Sequence, residues 1–333
     1  MRVTIKDVAR EAGVSIKTVS RVLNDEKYVG AETRGRVMAV VEALNFRPSA
    51  AARSLAGGKS QQIALVCDNP SPYYVYEMQQ GVRERCAREG VRMLVQPYDR
   101  AATGLVADID ALINTAHVDG LILTPPIADD DALLDRLRAR GTPFVRVSPG
   151  SCAEGSDAVF IDNAAAAAEM AAHLLALGHR RIGLIAGHPG YAASAQRTRG
   201  FLEALAAAGV TPEPALLRTG TYDFASGARE ASALLALPAP PSAIFAASDD
   251  MAAGALATAH RLGVKVPDQL SIAGFDDTAL AAVVWPALTT IRQPVRALGH
   301  AAADLLFAAT PGGEHRRLDH ALIVRESTAR ARG

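Results

Sequence analysis

The chain has 333 residues, and its charges balance, with 35 basic and 35 acidic side chains. Three cysteines cannot all pair with one another, and no apolar run reaches the length of a membrane-spanning helix, which argues against a disulfide-built scaffold and a membrane protein. Residues 1–60 nevertheless carry a net charge of +5, and the rest of the chain carries −5. This asymmetry is typical of a protein that brings one end to a polyanion.

Residues 4–24, TIKDVAREAGVSIKTVSRVLN, predict a helix-turn-helix. Thr4 and Asp7 form an N-cap pattern before an apolar helical face, Gly13 supplies the turn, and Ser15 caps the second helix. The alternative is a small solvated helical hairpin. The outward face of the second helix, where a recognition helix meets base edges, carries Ile16, Lys17, Ser20 and Arg21.

A third helix is predicted over Glu32–Leu44, which completes a three-helix unit. The following segment, Ser49–Ala56, is too short to be helical alone in water, so we expect it to fold only when it docks on a surface. Its one large apolar side chain, Leu55, is either a wedge between base steps in the minor groove or a contact with the next domain.

These residues resemble the headpiece and hinge of the lactose-repressor (LacI/GalR) family of bacterial transcription regulators. The matching elements are TIKDVA, AGVS, TVSRVLN, ETR, LNFxP and ARSLA, and the resemblance extends over nearly the whole chain. It implies that Ile16, Lys17 and Arg21 read bases and that Arg53 and Leu55 belong to a DNA-contacting hinge. It places near phosphates Ser15, Thr18, Asn24, Tyr28 and Thr33. Chemically, Lys17 or Arg21 can donate to guanine, and Ile16 can contact a thymine methyl group.

The remaining sequence alternates short apolar runs with alanine-rich helical stretches, which predicts parallel α/β sheets covered on both faces. Its length predicts two subdomains with a cleft between them, and strand-like stretches at Leu288–Arg292 and Ala321–Arg325 predict crossovers. We expect a headpiece (1–48), a hinge (49–60) and an effector-binding and dimerisation domain (61–333). Its N-subdomain would span about 61–161 and 291–322, and its C-subdomain about 162–290 and 323–333. The resemblance implies a body like type I periplasmic binding proteins.

Ligands of such sheets bind at the carboxyl ends of the strands. The candidate effector-binding residues that follow or flank the strands are Asp68, Tyr73, Tyr74, Tyr191, Arg197, Tyr222, Asp249, Asp276, Trp285 and Gln293. Acceptors and a guanidinium around aromatic faces suit a polyhydroxylated ligand such as a sugar. Each residue also has a structural alternative, because Asp249 and Asp276 can cap helices, Arg197 can form a surface ion pair, and Tyr222 or Trp285 can belong to the core.

Asp249 stands where the family commonly has asparagine, and a carboxylate there would discourage an anionic ligand. We therefore expect a neutral sugar rather than a nucleobase, a sugar phosphate or a carboxylate. The phrases DNPSPYY, ILTPP, FVRVSPG and VWPALTTIRQP also resemble the branch of the family that controls uptake of sucrose, maltose or related glycosides. The main rival is a regulator with a purine-type corepressor.

No enzyme motif is complete. The segment GGKS lacks the earlier glycine of a P-loop, there is no G-x-S-x-G elbow, and His173 and His179 lack partners for a metal site, so we expect no catalytic residue, metal or cofactor. Met1 leads into the first helix without a signal peptide, which predicts a cytoplasmic protein. We expect a homodimer on a pseudo-palindromic operator, released by a sugar in the cleft. The alternative class is a solute-binding protein or an enzyme on the same body.

Overall fold

The computed structural model describes residues 3–23, 26, 28–46, 60–98, 103–152, 155–308 and 312–332. The predicted DNA contacts Asn24, Arg53 and Leu55 lie outside the described residues, as does most of the predicted hinge. The chain divides into two compact units. The headpiece unit comprises Met1–Gln62 with Ala116–Asp119, and the body comprises Ile63–Thr115 with Gly120–Gly333. No helix of the described segments is long and apolar enough to cross a membrane.

In its described residues, the headpiece contains three helices. Their bounds are α1 Ile5–Ala12, α2 Ile16–Leu23 and α3 Ala31–Ala43. Each helix contributes one wholly buried valine to the centre of a shared core, namely Val8, Val19 and Val37. The spacing of these and neighbouring apolar residues thus turns one face of every helix inward and leaves the opposite face of α2 to solvent.

The helix boundaries follow from local side chains. The Asp7 carboxylate accepts hydrogen bonds from the backbone N–H (2.9 Å) and the hydroxyl (2.7 Å) of Thr4. Gly13 ends α1 in the left-handed conformation, with φ of 62°. The Ser15 hydroxyl then accepts the N–H of Thr18 at 3.1 Å and caps α2. The predicted turn and both predicted caps are therefore present.

The body contains two six-stranded sheets, which define its first and second subdomains. Strands of the first sheet are β1 Gln62–Cys67, β2 Arg92–Pro97, β3 Leu121–Leu123, β4 Phe144–Val147, β5 Asp157–Phe160 and β11 His315–Arg317, in the order β11-β5-β4-β3-β1-β2. Strands of the second are β6 Ile182–Ala186, β7 Leu217–Thr219, β8 Ala243–Ala246, β9 Ser271–Asp276, β10 Thr289–Arg292 and β12 Ala321–Ile323, in the order β12-β10-β9-β8-β6-β7. The β12 strand runs antiparallel to β10, whereas β8, β9 and β10 are parallel.

Helices cover these sheets, and two short 3₁₀ turns lie at Ile127–Asp129 and Pro214–Leu216. The helices are α4 Pro72–Glu89, α5 Leu105–Ala116, α6 Asp131–Arg140, α7 Asn163–Ala176, α8 Ala192–Ala207, α9 Phe224–Leu235, α10 Asp249–Arg261, α11 Ala279–Val283 and α12 Val295–Leu306. The predicted α/β architecture with two subdomains is therefore correct.

The chain passes between the subdomains three times. It crosses between β5 and α7, again between β10 and α12, and finally between β11 and β12. The α12 helix packs on α4 and on strands β3, β4 and β5 of the first subdomain, although β10 belongs to the second. The sequence places the last two crossings after residues 290 and 322. The structure places them between Arg292 and Val295 and between Arg317 and Ala321, because β10 and β12 pair wholly within the second sheet.

Glycines bring helix pairs of both subdomains into backbone contact. A methyl group at Gly81 of α4 would lie 1.9 Å from the carbonyl oxygen of Arg296 in α12, and one at Gly227 of α9 would lie 2.2 Å from that of Met251 in α10. Each partner helix also has a glycine in close contact, Gly299 in α12 and Gly254 in α10. Each subdomain thus has a helix pair whose separation only glycine permits, and Gly200 of α8, against the Ala164 carbonyl oxygen of α7, makes a further such pair in the second.

Candidate effector site and DNA-reading face

The outward face of α2 carries the side chains predicted to contact DNA. Ile16 is 45% exposed despite being apolar, and Lys17 and Arg21 are exposed beside it. Tyr28, predicted near a phosphate, is 92% exposed. Ser15 is also exposed, whereas Thr18, Ser20 and Thr33 are half-buried. Their contacts with DNA stay predictions, and the positions suit them because these side chains do not build the headpiece core.

A cavity lies between the two subdomains of the body. Six of the ten predicted effector residues line it: Tyr74, Tyr191, Arg197, Tyr222, Asp276 and Gln293. The space open to the centre of a water molecule is about 40 Å³, enough for only a few ordered waters.

Six more residues line the cavity and were not chosen from the sequence. They are Asn69, Ser71, Pro125, Ser148, Ala193 and Ser248. Most of them follow the ends of β1, β3, β4 and β8, so the rule that ligands bind at the carboxyl ends of strands could have found them. Residue type hid them, because serine and proline after a strand are common loop residues.

Arg197 is the best-anchored side chain of the cavity wall. Its Nε donates to the Asn163 Oδ1 at 2.9 Å, and its Nη1 donates to the Ala247 carbonyl oxygen at 2.7 Å. The guanidinium carbon lies 3.6 Å from the centre of the Phe275 ring, and Nη1 is 3.7 Å from an Asp276 carboxylate oxygen. These contacts fix the plane of the guanidinium, and its five N–H donors leave others for a ligand in the cavity.

Asp276 faces Arg197 from the end of β9. Gln293 Nε2 donates to its Oδ1 at 2.5 Å, and the residue is only 8% exposed. Burial raises the pKa of this carboxyl to about 7, although the Arg197 charge and the Gln293 hydrogen bond both lower it. Its φ of 122° lies in the region that favours glycine, a strain often found at binding sites. Near neutral pH, the group can therefore both donate and accept hydrogen bonds.

Two tyrosines form the aromatic part of the wall. The rings of Tyr191 and Tyr222 meet edge to face, with centres 5.2 Å apart. Burial raises the pKa of the Tyr222 hydroxyl, and the charge of Arg197 and the Ser194 hydroxyl offset part of that rise. This buried hydroxyl makes no well-aligned hydrogen bond to any described residue. A methyl group at Gly187 would lie 2.0 Å from the ring, so glycine is needed there.

Hydrogen bonds join the subdomains beside the cavity. The Tyr191 hydroxyl donates to the backbone carbonyl oxygen of Asp68 at 2.8 Å. The Ser71 hydroxyl donates to the Asp250 Oδ2 at 2.7 Å. Asp68 therefore takes part through its backbone at the edge of the cleft, and its side chain does not line the cavity.

The prediction that Asp249 faces a ligand is wrong. The residue is completely buried, and its carboxylate accepts the Thr278 N–H at 2.7 Å and the Thr290 hydroxyl at 2.6 Å. Burial, and then the charge of Asp276, raise its pKa well above the usual range. Nor is it the helix cap, since the Ser248 hydroxyl accepts the N–H of Met251. Asp249 therefore gives no support to a neutral ligand.

The prediction for Trp285 is also wrong. Its side chain is 79% exposed and does not line the cavity, because only neighbours such as Pro286 and Leu288 turn inward from the loop after α11. Tyr73 lies outside the cavity as well, in an adjoining surface groove that also contacts Asp276.

Comparisons with known proteins agree with this architecture. Residues 4–49 match the bacterial regulatory proteins, lacI family, and residues 171–328 match the periplasmic binding protein-like domain. The HTH-type transcriptional repressor PurR of Photobacterium profundum is 35% identical and covers 97% of this chain and 98% of its own length. HTH-type transcriptional regulator DegA of Bacillus subtilis is 36% identical over 71% of this chain and 70% of its own.

Two solved structures are similar over nearly the full length. The lac repressor dimer bound to operator and the anti-inducer ONPF has a TM-score of 0.86 at 29% identity, covering 99% of this chain and all of that one. The complex of transcriptional regulator CelR with cellobiose has a TM-score of 0.74 at 30% identity, covering 98% and 100%. Members of this family are transcriptional regulators rather than enzymes. The chain belongs to the lacI family of bacterial regulatory proteins and is a DNA-binding transcriptional repressor.

Proposed function

We propose that this repressor leaves a pseudo-palindromic operator when a neutral sugar, a mono- or disaccharide, occupies the cavity between its subdomains. The observation that carries the proposal is the set of polar groups around that cavity. The Arg197 fork, the Asp276 carboxyl and the unsatisfied Tyr222 hydroxyl offer donors and acceptors at fixed positions. A polyhydroxylated ligand satisfies both kinds of group.

The loops that resemble the glycoside branch support a sugar. DNPSPYY contributes Asn69, Ser71 and Tyr74 to the cavity, and ILTPP contributes Pro125. FVRVSPG contributes Ser148 and VWPALTTIRQP contributes Gln293, so all four phrases meet at the cavity. CelR, which resembles this chain in structure, is bound to cellobiose. On these grounds we propose that the sugar is a sucrose- or maltose-type glycoside.

A purine corepressor is the second candidate. A relative named PurR covers nearly the whole chain at 35% identity. The aromatic pair Tyr191–Tyr222 and a carboxyl that can donate or accept also suit a heterocycle. With Asp249 turned away from the cavity, a charge argument no longer opposes this candidate, and the experiment below must separate the two.

On the DNA side, we propose that Ile16, Lys17, Ser20 and Arg21 read base edges in the major groove. Their exposure on a helix whose other face is buried supports this placement. We propose that exposed or half-buried hydroxyls contact phosphates, and these belong to Ser15, Thr18, Tyr28 and Thr33.

We further propose that the protein acts as a homodimer. Two large apolar side chains at the end of α11 are exposed. Val283, the last residue of the helix, is 75% exposed, and Trp285, in the following loop, is 79% exposed. Such exposure of neighbouring apolar side chains is typical of a surface that another chain covers. The related lac repressor binds its operator as a dimer, which is the geometry that two headpieces on a pseudo-palindrome require.

Release from DNA would follow from a change in the angle between the subdomains. The Tyr191–Asp68 and Ser71–Asp250 hydrogen bonds hold the cleft nearly closed around a space for a few waters. A sugar that separates these contacts, and binds the separated arrangement more tightly, shifts the population towards it. Only this difference in affinity couples the cavity to the operator.

The test is a thermal-shift screen of the purified protein against sugars, purines and other metabolites, with hits retested for operator binding. A ligand at a hundred times its dissociation constant adds about 2.7 kcal/mol of stability. A sugar that stabilises the protein and weakens operator binding supports the proposal. A purine that stabilises the protein and tightens operator binding would overturn the proposed ligand and reverse the sign of the response.

A further inference from the structure

One acidic side chain contacts the DNA-reading face. The Glu26 Oε2 lies 3.5 Å from the Nε of Arg21, and the two side chains are each 45% exposed. A carboxylate here is unexpected on electrostatic grounds, because phosphates repel it and a bound headpiece gains most of its affinity from cations. We therefore looked for a contribution of Glu26 to recognition that compensates for its repulsion by phosphates.

The backbone of Glu26 is held from two sides. Its N–H donates to the carbonyl oxygen of Arg21 at 3.0 Å, just beyond the end of α2. The Nη2 of Arg34, from α3, donates to the carbonyl oxygen of Glu26 at 2.8 Å. Most exposed ion pairs are weak because two mobile side chains must be ordered. Here the fixed backbone of Glu26 holds its side chain within reach of Arg21, so the pair forms without any rearrangement of the main chain.

Pairing changes what Arg21 can bind. A free guanidinium binds phosphate anywhere on DNA, which raises affinity without adding sequence preference. A guanidinium that shares its charge with Glu26 gains less from phosphates, while its remaining N–H groups can still donate to O6 and N7 of guanine. The carboxylate can accept from the amino group of cytosine, so the pair complements both bases of a G·C pair.

We propose that Glu26 is a positioning residue for operator recognition, which orients Arg21 towards a guanine edge and weakens its binding to random DNA. This inference rests on the proposed placement of Arg21 at the base edges. It assigns the acid a role in discrimination between sequences rather than in affinity.

The test uses the full-length protein and a duplex that this protein selects from a random-sequence library. Glu26→Gln removes the charge at constant size, and Glu42→Gln, on α3, controls for the loss of one negative charge from the headpiece. We expect Glu26→Gln to raise affinity for random-sequence duplex and to lower the ratio of selected to random affinity by about threefold. Glu42→Gln should leave the ratio unchanged, and equal ratios for the two variants would overturn the proposal.

A second readout separates positioning from a general charge effect. When Glu26→Gln selects from the same library, its preference should weaken at one G·C pair in each half-site and persist elsewhere. If the base preference of Glu26→Gln equals that of the parent protein at every position, the positioning role is contradicted.

Arg21→Ala separates failure of this inference from failure of its premise. If Arg21 reads a base, this substitution lowers the affinity ratio by about tenfold, and adding Glu26→Gln lowers it no further. An unchanged ratio for Arg21→Ala defeats the base-edge placement and the inference together. A lowered ratio for Arg21→Ala with an unchanged ratio for Glu26→Gln defeats only the role of Glu26.

Discussion

The reading face of α2 presents Ile16 and Lys17 to solvent, whereas the cavity of the body keeps Arg197 and Asp276 more than nine-tenths buried. On the reading face, the functional side chains contribute little to the fold, so each can change by itself. In the cavity, Arg197 has two roles: its hydrogen bonds stabilise the fold, and its remaining donors face a ligand. Substitutions on the reading face should therefore change DNA recognition alone, whereas substitutions in the cavity should also change the stability of the body.

The largest expected effect lies in the cavity. Arg197→Ala should destabilise the body by about 3–5 kcal/mol, because it leaves the buried Asp276 carboxyl without its cationic neighbour and Asn163 without a donor. Chemical denaturation measures this loss. Arg199→Ala is the matched control, since that side chain is 63% exposed and should change stability by less than about 0.5 kcal/mol. Equal losses for both variants would erase the contrast between buried and exposed groups.

The second expected effect is a pH dependence from Asp276. Burial raises its pKa from 3.8 to about 7, so the folded state keeps a proton that the unfolded chain has lost between these values. Its contribution to stability therefore decreases as pH rises from about 4 to 7 and is constant above, a total change of about 1–4 kcal/mol. Denaturation of the parent and of Asp276→Asn across this range measures the difference. A constant difference between them would mean that the carboxyl titrates normally.

On the reading face, Lys17→Ala should weaken operator binding by about tenfold to a hundredfold and leave the melting temperature unchanged. The reason is that the exposed side chain can contact bases without supporting the core. Operator affinity and a thermal melt of the same sample check both parts. Lys6→Ala, an exposed lysine of α1, controls for charge and should weaken specific and random binding alike. A fall in melting temperature with Lys17→Ala would contradict the separation of fold and recognition.

The smallest effect on effector binding is expected at Trp285. Trp285→Ala should leave the affinity for the effector unchanged, since this side chain is outside the cavity, and should weaken dimerisation instead. Tyr222→Phe is the comparison, because removing the unsatisfied hydroxyl should cost about threefold to thirtyfold in effector affinity. Calorimetric titration and sedimentation separate the two effects. A large loss of effector affinity in Trp285→Ala would show that Trp285 contributes to the effector site.

The headpiece was predictable because its signals are local. Thr4, Gly13 and Ser15 act on neighbours within a few residues, and the predicted third helix differs from the observed one by a single residue at each end. The long buried strands of the body were equally clear as apolar runs. Strands β7 and β11 were missed, since LRT and HRR are short, polar and mostly exposed.

The cavity was only partly predictable, because contacts distant in sequence set the direction of its side chains. Asp249 and Asp276 look alike in sequence, each acidic and each near the end of a strand. Thr278 and Thr290 bind the first and turn it into the protein, while Gln293 holds the second at the cavity. No local pattern separates these outcomes, and the pocket role of Asp249 was wrong for that reason.

The three crossings between the subdomains have a mechanical consequence. A single connection would leave the subdomains free to rotate about it, whereas three connections restrict that rotation and favour bending. Within each subdomain, the helix pairs at Gly81 and Gly227 cannot approach further, so little of the bend is absorbed by compression. A change in the angle between the subdomains would therefore fall on the three connecting segments rather than on the packing of these helices.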